Sequence, residues 1–545
     1  MGKPPMRIHA LRLRSLLFAA FALLSGLAAD LRAEPLHAQI DRLITTSAEG
    51  PAATVSDDFE FVRRIYLDLA GRIPTADEVR AFRDNPASDK RAQLIDQLLA
   101  GPDYPRRMQE LFHVMLMERL GDHPEWTKFL QTSFEQNKPW DQMTREILSP
   151  NPEDETIRGA AFFWTKRLEN YGQNPVDLPG LARDVGRMFL GRDLQCAQCH
   201  DHLFIDDYKQ VDFQGLMAFI GHTSIRQDTA FPAVAEGLVE KKTEFMSVFI
   251  KEQNATGPRL PGGMEVEIPE LPKDEKYVVP PDRAKKFPGV PKFSPLRILS
   301  EQLPAEDNTQ FAENIANRLW YVMLGRGLVH PLDLHHSANP PSHPELLKLL
   351  AREFVAHKFD IKWMLREIAL SETYQRSSVL PEGVENAPPE KFLVALEKPL
   401  SAEQLVHSML QATGEIELLS QKEAAKAEQQ IARHLDRFRD AFANPPREPE
   451  VEFSPSVKAA LFVMNSSAVL DWLKPRDGNL AGRLAKISEP SALAEELYLS
   501  VLSRPASDEE QAEVADFLAS QPDRDKAIGH LIWALMASTE FCVNH

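Results

Sequence analysis

The sequence predicts a mainly α protein: two helical domains joined by a small β-module and a Pro-rich linker. Three observations carry this. Apolar residues recur at helical spacing through most of the chain. Helix-start and helix-stop residues punctuate those stretches. Residues 258–295, by contrast, hold nine prolines, a density that forbids long helices. At 545 residues the chain is also too long for one ordinary core.

The elements follow in order. Lys3, Arg7, Arg12 and Arg14 precede an apolar run from Leu16 to Ala29, and Ala28, Ala29 and Ala33 offer small-residue cleavage sites. This is the pattern of a Sec-type signal peptide over residues 1–33, with a retained anchor as the alternative. A run of that length is short for a membrane span, and no later segment offers a longer one. Such a leader predicts an exported protein, in the periplasm or at the cell surface, with no membrane span after cleavage.

A first helical domain is expected over 50–225. Phe61, Ile65 and Leu69 share a helical face, Thr75 with Glu78 makes a capping box, and Leu94, Ile95, Leu98 and Leu99 mark a further helix. Leu178–Leu190 reads as a helix stopped by Gly191. A β-module and Pro-rich linker are expected over 226–300. Thr243–Ile250 is rich in β-formers, and Met264, Val266 and Ile268 alternate with Glu265 and Glu267 after the turn Gly262-Gly263. The second helical domain, 301–545, opens near Asn308, with Phe311, Ile315, Leu319, Val322 and Met323 on one face and Gly325 as the stop. Ser342 with Glu345 reads as another capping box. The chain also echoes itself. Tyr66, Leu67, Arg72, Thr75 and Glu78 recur as Tyr498, Leu499, Arg504, Ser507 and Glu510, at one constant offset, which points to a reused helix–turn–helix unit.

The chemistry concentrates in Cys196-Ala-Gln-Cys199-His200. Cys-x-x-Cys-His is the attachment motif of c-type haem. Two thiols three positions apart can add to the two vinyl groups of one porphyrin, and the adjacent histidine becomes an axial iron ligand. The protein has three cysteines, and two of them stand in this frame. Two other readings remain open: a disulfide or free thiol pair, and a non-haem metal held by Cys196, Cys199, His200 and His202. If haem binds, Met217 or His222 are the candidates for the distal ligand, and an apolar cavity walled by Phe189, Leu190, Met217 and Phe219 is expected against His200. His330, His335, His336 and His343 form a second, weaker metal candidate.

The formal charge is −18, and residues 1–33 carry five basic groups against one acid, so the remainder is more acidic still. That argues against nucleic acid or an anionic membrane as partner. There is no Gly-rich phosphate loop, no Gly-x-Ser-x-Gly elbow and no His-Glu-x-x-His helix, so no catalytic constellation stands beyond the Cys motif.

The block Asp193-Leu-Gln-Cys-Ala-Gln-Cys-His-Asp-His202, with Asp206-Asp-Tyr208, Gly215-Leu-Met-Ala-Phe219 and the earlier Arg63-Arg-Ile-Tyr-Leu-Asp-Leu-Ala-Gly71, resembles the cytochrome-associated domain of unknown function abundant in planctomycete bacteria. Asn317-Arg-Leu-Trp320, Gly325-Arg-Gly-Leu328, Asn339-Pro-Pro-Ser-His-Pro-Glu-Leu346, Lys398-Pro-Leu-Ser-Ala-Glu-Gln404, Ala460-Leu-Phe-Val-Met-Asn465 and Glu496-Leu-Tyr-Leu499 resemble the planctomycete C-terminal domain that accompanies it. Where family members often have proline after the second histidine of the Cys block, this chain has Leu203. The resemblance implies an exported protein, associated with cytochromes and uncharacterised at the level of reaction. The intact motif on an exported chain points to a haem c carrier acting in electron transfer, with a redox protein or other secreted envelope proteins as partners. The alternative is a non-catalytic envelope or surface interaction protein with the Cys block as a disulfide or metal clamp. A third reading, an enzyme acting on an extracellular polymer, rests on the large, acidic, exported character alone.

Overall fold

Helices form where capping and apolar spacing coincide. In the computed structural model, which describes Gly2 and residues 34–170, 172–448, 462 and 464–545, the chain is mainly helical with small two-stranded sheets. The expected signal peptide, apart from Gly2, and much of Ala460–Asn465 lie outside the described residues. Among the described residues no helix is long and apolar enough to cross a membrane.

Local signals act as expected at most helix ends. Asp57 caps the helix Asp58–Leu69, and Thr75 with Glu78 forms a complete capping box on Ala76–Asp84. Gly191 (φ 65°) ends Leu178–Leu190, and Gly325 (φ 80°) ends Thr309–Leu324, both in the left-handed region that costs glycine little. Two expectations are corrected. Ser342 and Glu345 do not form a capping box: Pro344 takes the first helical position of Pro344–Ala356, His343 becomes the N-cap, and Glu345 falls one position short of reaching back. Met264–Ile268 is not a strand. Its Val266 N–H donates to the Pro258 carbonyl at 2.7 Å, but prolines at 258, 261 and 269 lack the N–H groups a ladder needs, and Met264 stands exposed. The other strand candidate, Thr243–Ile250, holds in its first half: Thr243–Met246 pairs antiparallel with Gln253–Thr256, and residues 247–250 leave the strand for the hairpin tip.

The repeated unit is the same physical device twice. Arg72 lies over the Tyr66 ring at 5.2 Å and bridges Glu78 and Asp103, each at 2.9 Å. Arg504 lies over Tyr498 at 5.3 Å and bridges Glu510 at 2.8 Å and Glu540 at 2.6 Å. In both copies the arginine ties a capping-box glutamate to an acid of the closing helix, Asp103–Met117 or Thr539–Cys542.

Apolar side chains gather in two clusters that do not follow chain order. The first runs from Leu36 to Ile220 and takes in Leu296–Leu393; the second spans Leu400–Phe541 and takes in Leu67 and Ile73. Trp140 stands in the first with its ring 5.3 Å from Phe112, 6.2 Å from Phe189 and 6.4 Å from Phe311. The motif Arg63-Arg-Ile-Tyr-Leu-Asp-Leu-Ala-Gly71 runs between the clusters, and its charged residues are buried. Arg63 donates to the Phe541 carbonyl at 2.9 Å, and Arg64 to the Tyr374 and Arg376 carbonyls at 2.7 and 2.8 Å. Asp68 accepts from Lys398 Nζ at 2.6 Å and from the Tyr374 hydroxyl and Asn544 Nδ2, both at 2.8 Å. Buried charges require this degree of pairing. The strand pair Lys398–Pro399 with Val543–Asn544 closes the same seam.

Candidate functional site around the Cys block

The Cys block leaves the end of Leu178–Leu190 as a loop and folds into a single 3₁₀ turn, Cys196–Gln198. In such a turn the side chains at i and i+3 eclipse. Cys196 and Cys199 therefore share one face, and both are exposed and unbridged, while Ala197 between them is buried. Gln198 anchors the turn. Its side-chain oxygen accepts from Arg183 at 2.5 Å, and its carbonyl accepts from Gln214 at 3.2 Å and Gln210 at 3.4 Å.

His200 is half-buried, with Nδ1 2.6 Å from the Asp201 carbonyl oxygen. A carbonyl only accepts, so Nδ1 carries the proton and Nε2 is the free lone-pair nitrogen. His202 turns away: its Nδ1 accepts from the backbone of Phe204 at 3.2 Å and of Ile205 at 3.0 Å. Among the described residues no three His, Cys, Asp or Glu side chains gather closely enough to hold a metal ion, so the set Cys196, Cys199, His200 and His202 is not preassembled.

The apolar surroundings differ from the expected cavity. Phe189 and Leu190 are 0% exposed and Phe219 is 1% exposed. They are packed into the first cluster and border no void, because their helices spend the apolar face on the core. Met217 is half-buried on Gln210–Ile220, one turn beyond Gln214 on the face that meets Gln198, and His222 is exposed beyond that helix. The apolar surface at the motif comes from elsewhere. Leu203 and Phe204 follow the Cys block, and Met246, Val248, Phe249 and Ile250 sit at the tip of the Thr243–Thr256 hairpin, all exposed. The hairpin is tied to the motif: Val248 N–H donates to the Cys199 carbonyl at 3.1 Å, and the Phe249 ring lies 4.6 Å from that of His200. The run of β-formers signalled the strand. Nothing in its composition signalled that the tip would stand in solvent beside two thiols.

The histidine-rich segment packs against this loop from the other side. Asp193 N–H donates to the Asp333 carbonyl, and Ser337 N–H donates to Asp207 at 2.9 Å. His336 meets the Tyr208 ring edge-on at 5.2 Å, and His343 packs near Phe392. Arg187 and Arg318 both pair with Asp333. His335 is buried, and its N–H donates to the Gly191 carbonyl at 2.9 Å. Burial, helped by the charge of Arg318, pushes its pKa down to about 4. An unfolded histidine titrates near ~6.5, so between those values the unfolded chain binds the extra proton. This contribution to stability is complete above ~6.5 and falls with acidification. Urea midpoints near neutral pH and about two units lower should drop less in His335→Gln than in the wild type; equal drops would remove His335 as the cause.

A helical scaffold with one exposed Cys-x-x-Cys-His turn defines the class of protein. Residues 39–224 match the family model PSCyt2, a protein of unknown function (DUF1549), and residues 297–518 match PSD1, a protein of unknown function (DUF1553). The chain thus carries these two domains one after the other. Neither the curated proteins nor the solved structures contain a match to it.

Proposed function

We propose that this chain is an exported c-type haem-binding protein of the periplasm or cell surface that passes electrons to a redox partner. The observation that supports it most is the pairing of two exposed thiols on one face of a turn with a histidine whose Nε2 is left free by the Asp201 carbonyl. These residues fit the group. Cys196 and Cys199 would hold the macrocycle through thioethers, and His200 would ligate its iron. Haem would supply a one-electron couple there. Leu203, Phe204 and the hairpin tip offer it apolar surface, Asp201 orients the imidazole, and Arg183 with Gln210 and Gln214 holds the turn rigid.

The test is intact-mass analysis of protein exported in a host with haem c maturation. A covalent haem adduct is expected, lost in Cys196→Ala/Cys199→Ala. A bare polypeptide mass, beside a control cytochrome that matures normally, would sink the reading. The exposed apolar tip also favours a second one, an envelope interaction protein that docks through this face. That reading predicts the bare mass, together with a partner captured by wild type and lost in Phe204→Ser/Phe249→Ser.

A further inference from the structure

A second site lies away from the Cys block, where the two apolar clusters meet. A cavity of about 220 Å³ is lined by Leu111, Val114, Val322 and Phe442 together with charged side chains. Among the described residues four carboxylates line it, Asp68, Glu110, Glu397 and Glu403; Glu397 is exposed, and the three buried ones each have their own cation. Asp68 takes Lys398 at 2.6 Å. Glu110 takes Arg106 at 3.3 Å and accepts from His407 Nε2 at 2.8 Å. Glu403 lies between Arg119 at 2.5 Å and Arg439 at 2.9 Å.

Arg107 is the cation left over. It is 6% exposed and lines the cavity, and its Nε donates to the Asp68 carbonyl at 3.4 Å. Among the described residues its two terminal nitrogens have no hydrogen-bond partner and no carboxylate at ion-pair distance. Gly71 sets the path of its stem: φ there is +69°, and a Cβ would stand 2.8 Å from Arg107 Cδ. A guanidinium stays charged even when burial lowers its pKa, as it does here. A nearly buried charged fork with no anion at ion-pair distance is a costly arrangement that a ligand would relieve.

We infer that this cavity binds a short-chain carboxylic acid, its carboxylate on the terminal nitrogens of Arg107 and its hydrocarbon tail on Leu111, Val114, Val322 and Phe442. A planar two-oxygen anion matches the guanidinium fork. The apolar wall suits a tail rather than a second charge. The volume lies below the ~300–1,000 Å³ of ordinary ligand sites, so the acid has few atoms. A doubly charged anion would meet more repulsion than a singly charged one from the four carboxylates that line the cavity.

The experiment titrates butyrate into the full-length protein by calorimetry, with 1-butanol and inorganic phosphate as separate probes. Saturable one-to-one binding of butyrate is expected, with both other probes at least about tenfold weaker. Arg107→Lys keeps the charge and loses the fork, and should weaken butyrate by about tenfold. Val114→Trp fills the cavity from the apolar side without touching the guanidinium and should abolish binding; it carries the test if Arg107→Lys fails to fold. No saturable signal, butanol or phosphate binding as well as butyrate, or full binding in Val114→Trp would each overturn the inference.

Discussion

Replacing Glu403 with alanine is expected to lower folding stability by about 3–5 kcal/mol, the range for removing one member of a buried ionic group. Glu403 is 1% exposed and holds two guanidiniums, Arg119 and Arg439. Its loss leaves two like charges facing each other out of water. Burial by itself raises the Glu403 pKa, but the hydrogen bond and charge of Arg119, and then Arg439, outweigh it and hold the carboxyl well below its usual range. A depressed carboxylate pKa contributes stability that is complete above the unfolded value of ~4.3 and is lost as pH falls toward the folded one. Urea unfolding near neutral pH measures the loss. A change under about 1 kcal/mol would mean that the triad is neutral to stability, as some buried ion clusters are.

Trp140→Ala should cost a comparable amount, about 3–5 kcal/mol, through lost transfer energy and the cavity left behind. Trp140 is 1% exposed and touches rings on both sides of the Pro-rich segment, Phe112 and Phe189 before it and Phe311 after it. The variant should therefore loosen the contact between the two ends of the first cluster and not one helix alone. Its indole N–H is buried without a partner, so Trp140→Phe should lose much less than the alanine variant. Denaturant unfolding of both variants checks this; equal losses would show that volume is not what the stack contributes.

Much of the helical framework was legible because its signals are local. A capping box spans four residues, and Thr75 with Glu78 or Ser507 with Glu510 meets its requirements wherever the rest of the chain goes. Gly191 and Gly325 stop helices for an equally local reason. The failure at Ser342 has a local cause too, since Pro344 shifts the helix start by one position. The repeat was readable in one dimension, but its meaning was not. That Arg72 and Arg504 each clamp a capping glutamate to a closing-helix acid depends on a fold that returns the chain to the same place.

The Cys block divides in the same way. Cys196, Cys199 and His200 were legible because the Cys-x-x-Cys-His pattern is complete within five residues. Phe189, Leu190 and Phe219 were wrongly expected to wall a cavity, because nearness in sequence says nothing about which way a helix turns its apolar face. The exposed hairpin tip and the docking of Asp333 and Ser337 on the loop join residues far apart in the chain.

By itself, then, the sequence determined the helix ends, the β-rich and Pro-rich middle, the acidic character and the thiol–histidine motif, all set by short-range sterics, spacing or composition. Only the tertiary structure decided which charges pair. Glu403 meets Arg119 across nearly three hundred residues, Lys398 meets Asp68 across more, and that pairing leaves Arg107 facing a cavity. The physical reason is that the energy of a buried charge depends on everything within a few ångströms of it, and a linear chain does not specify those neighbours until it has folded.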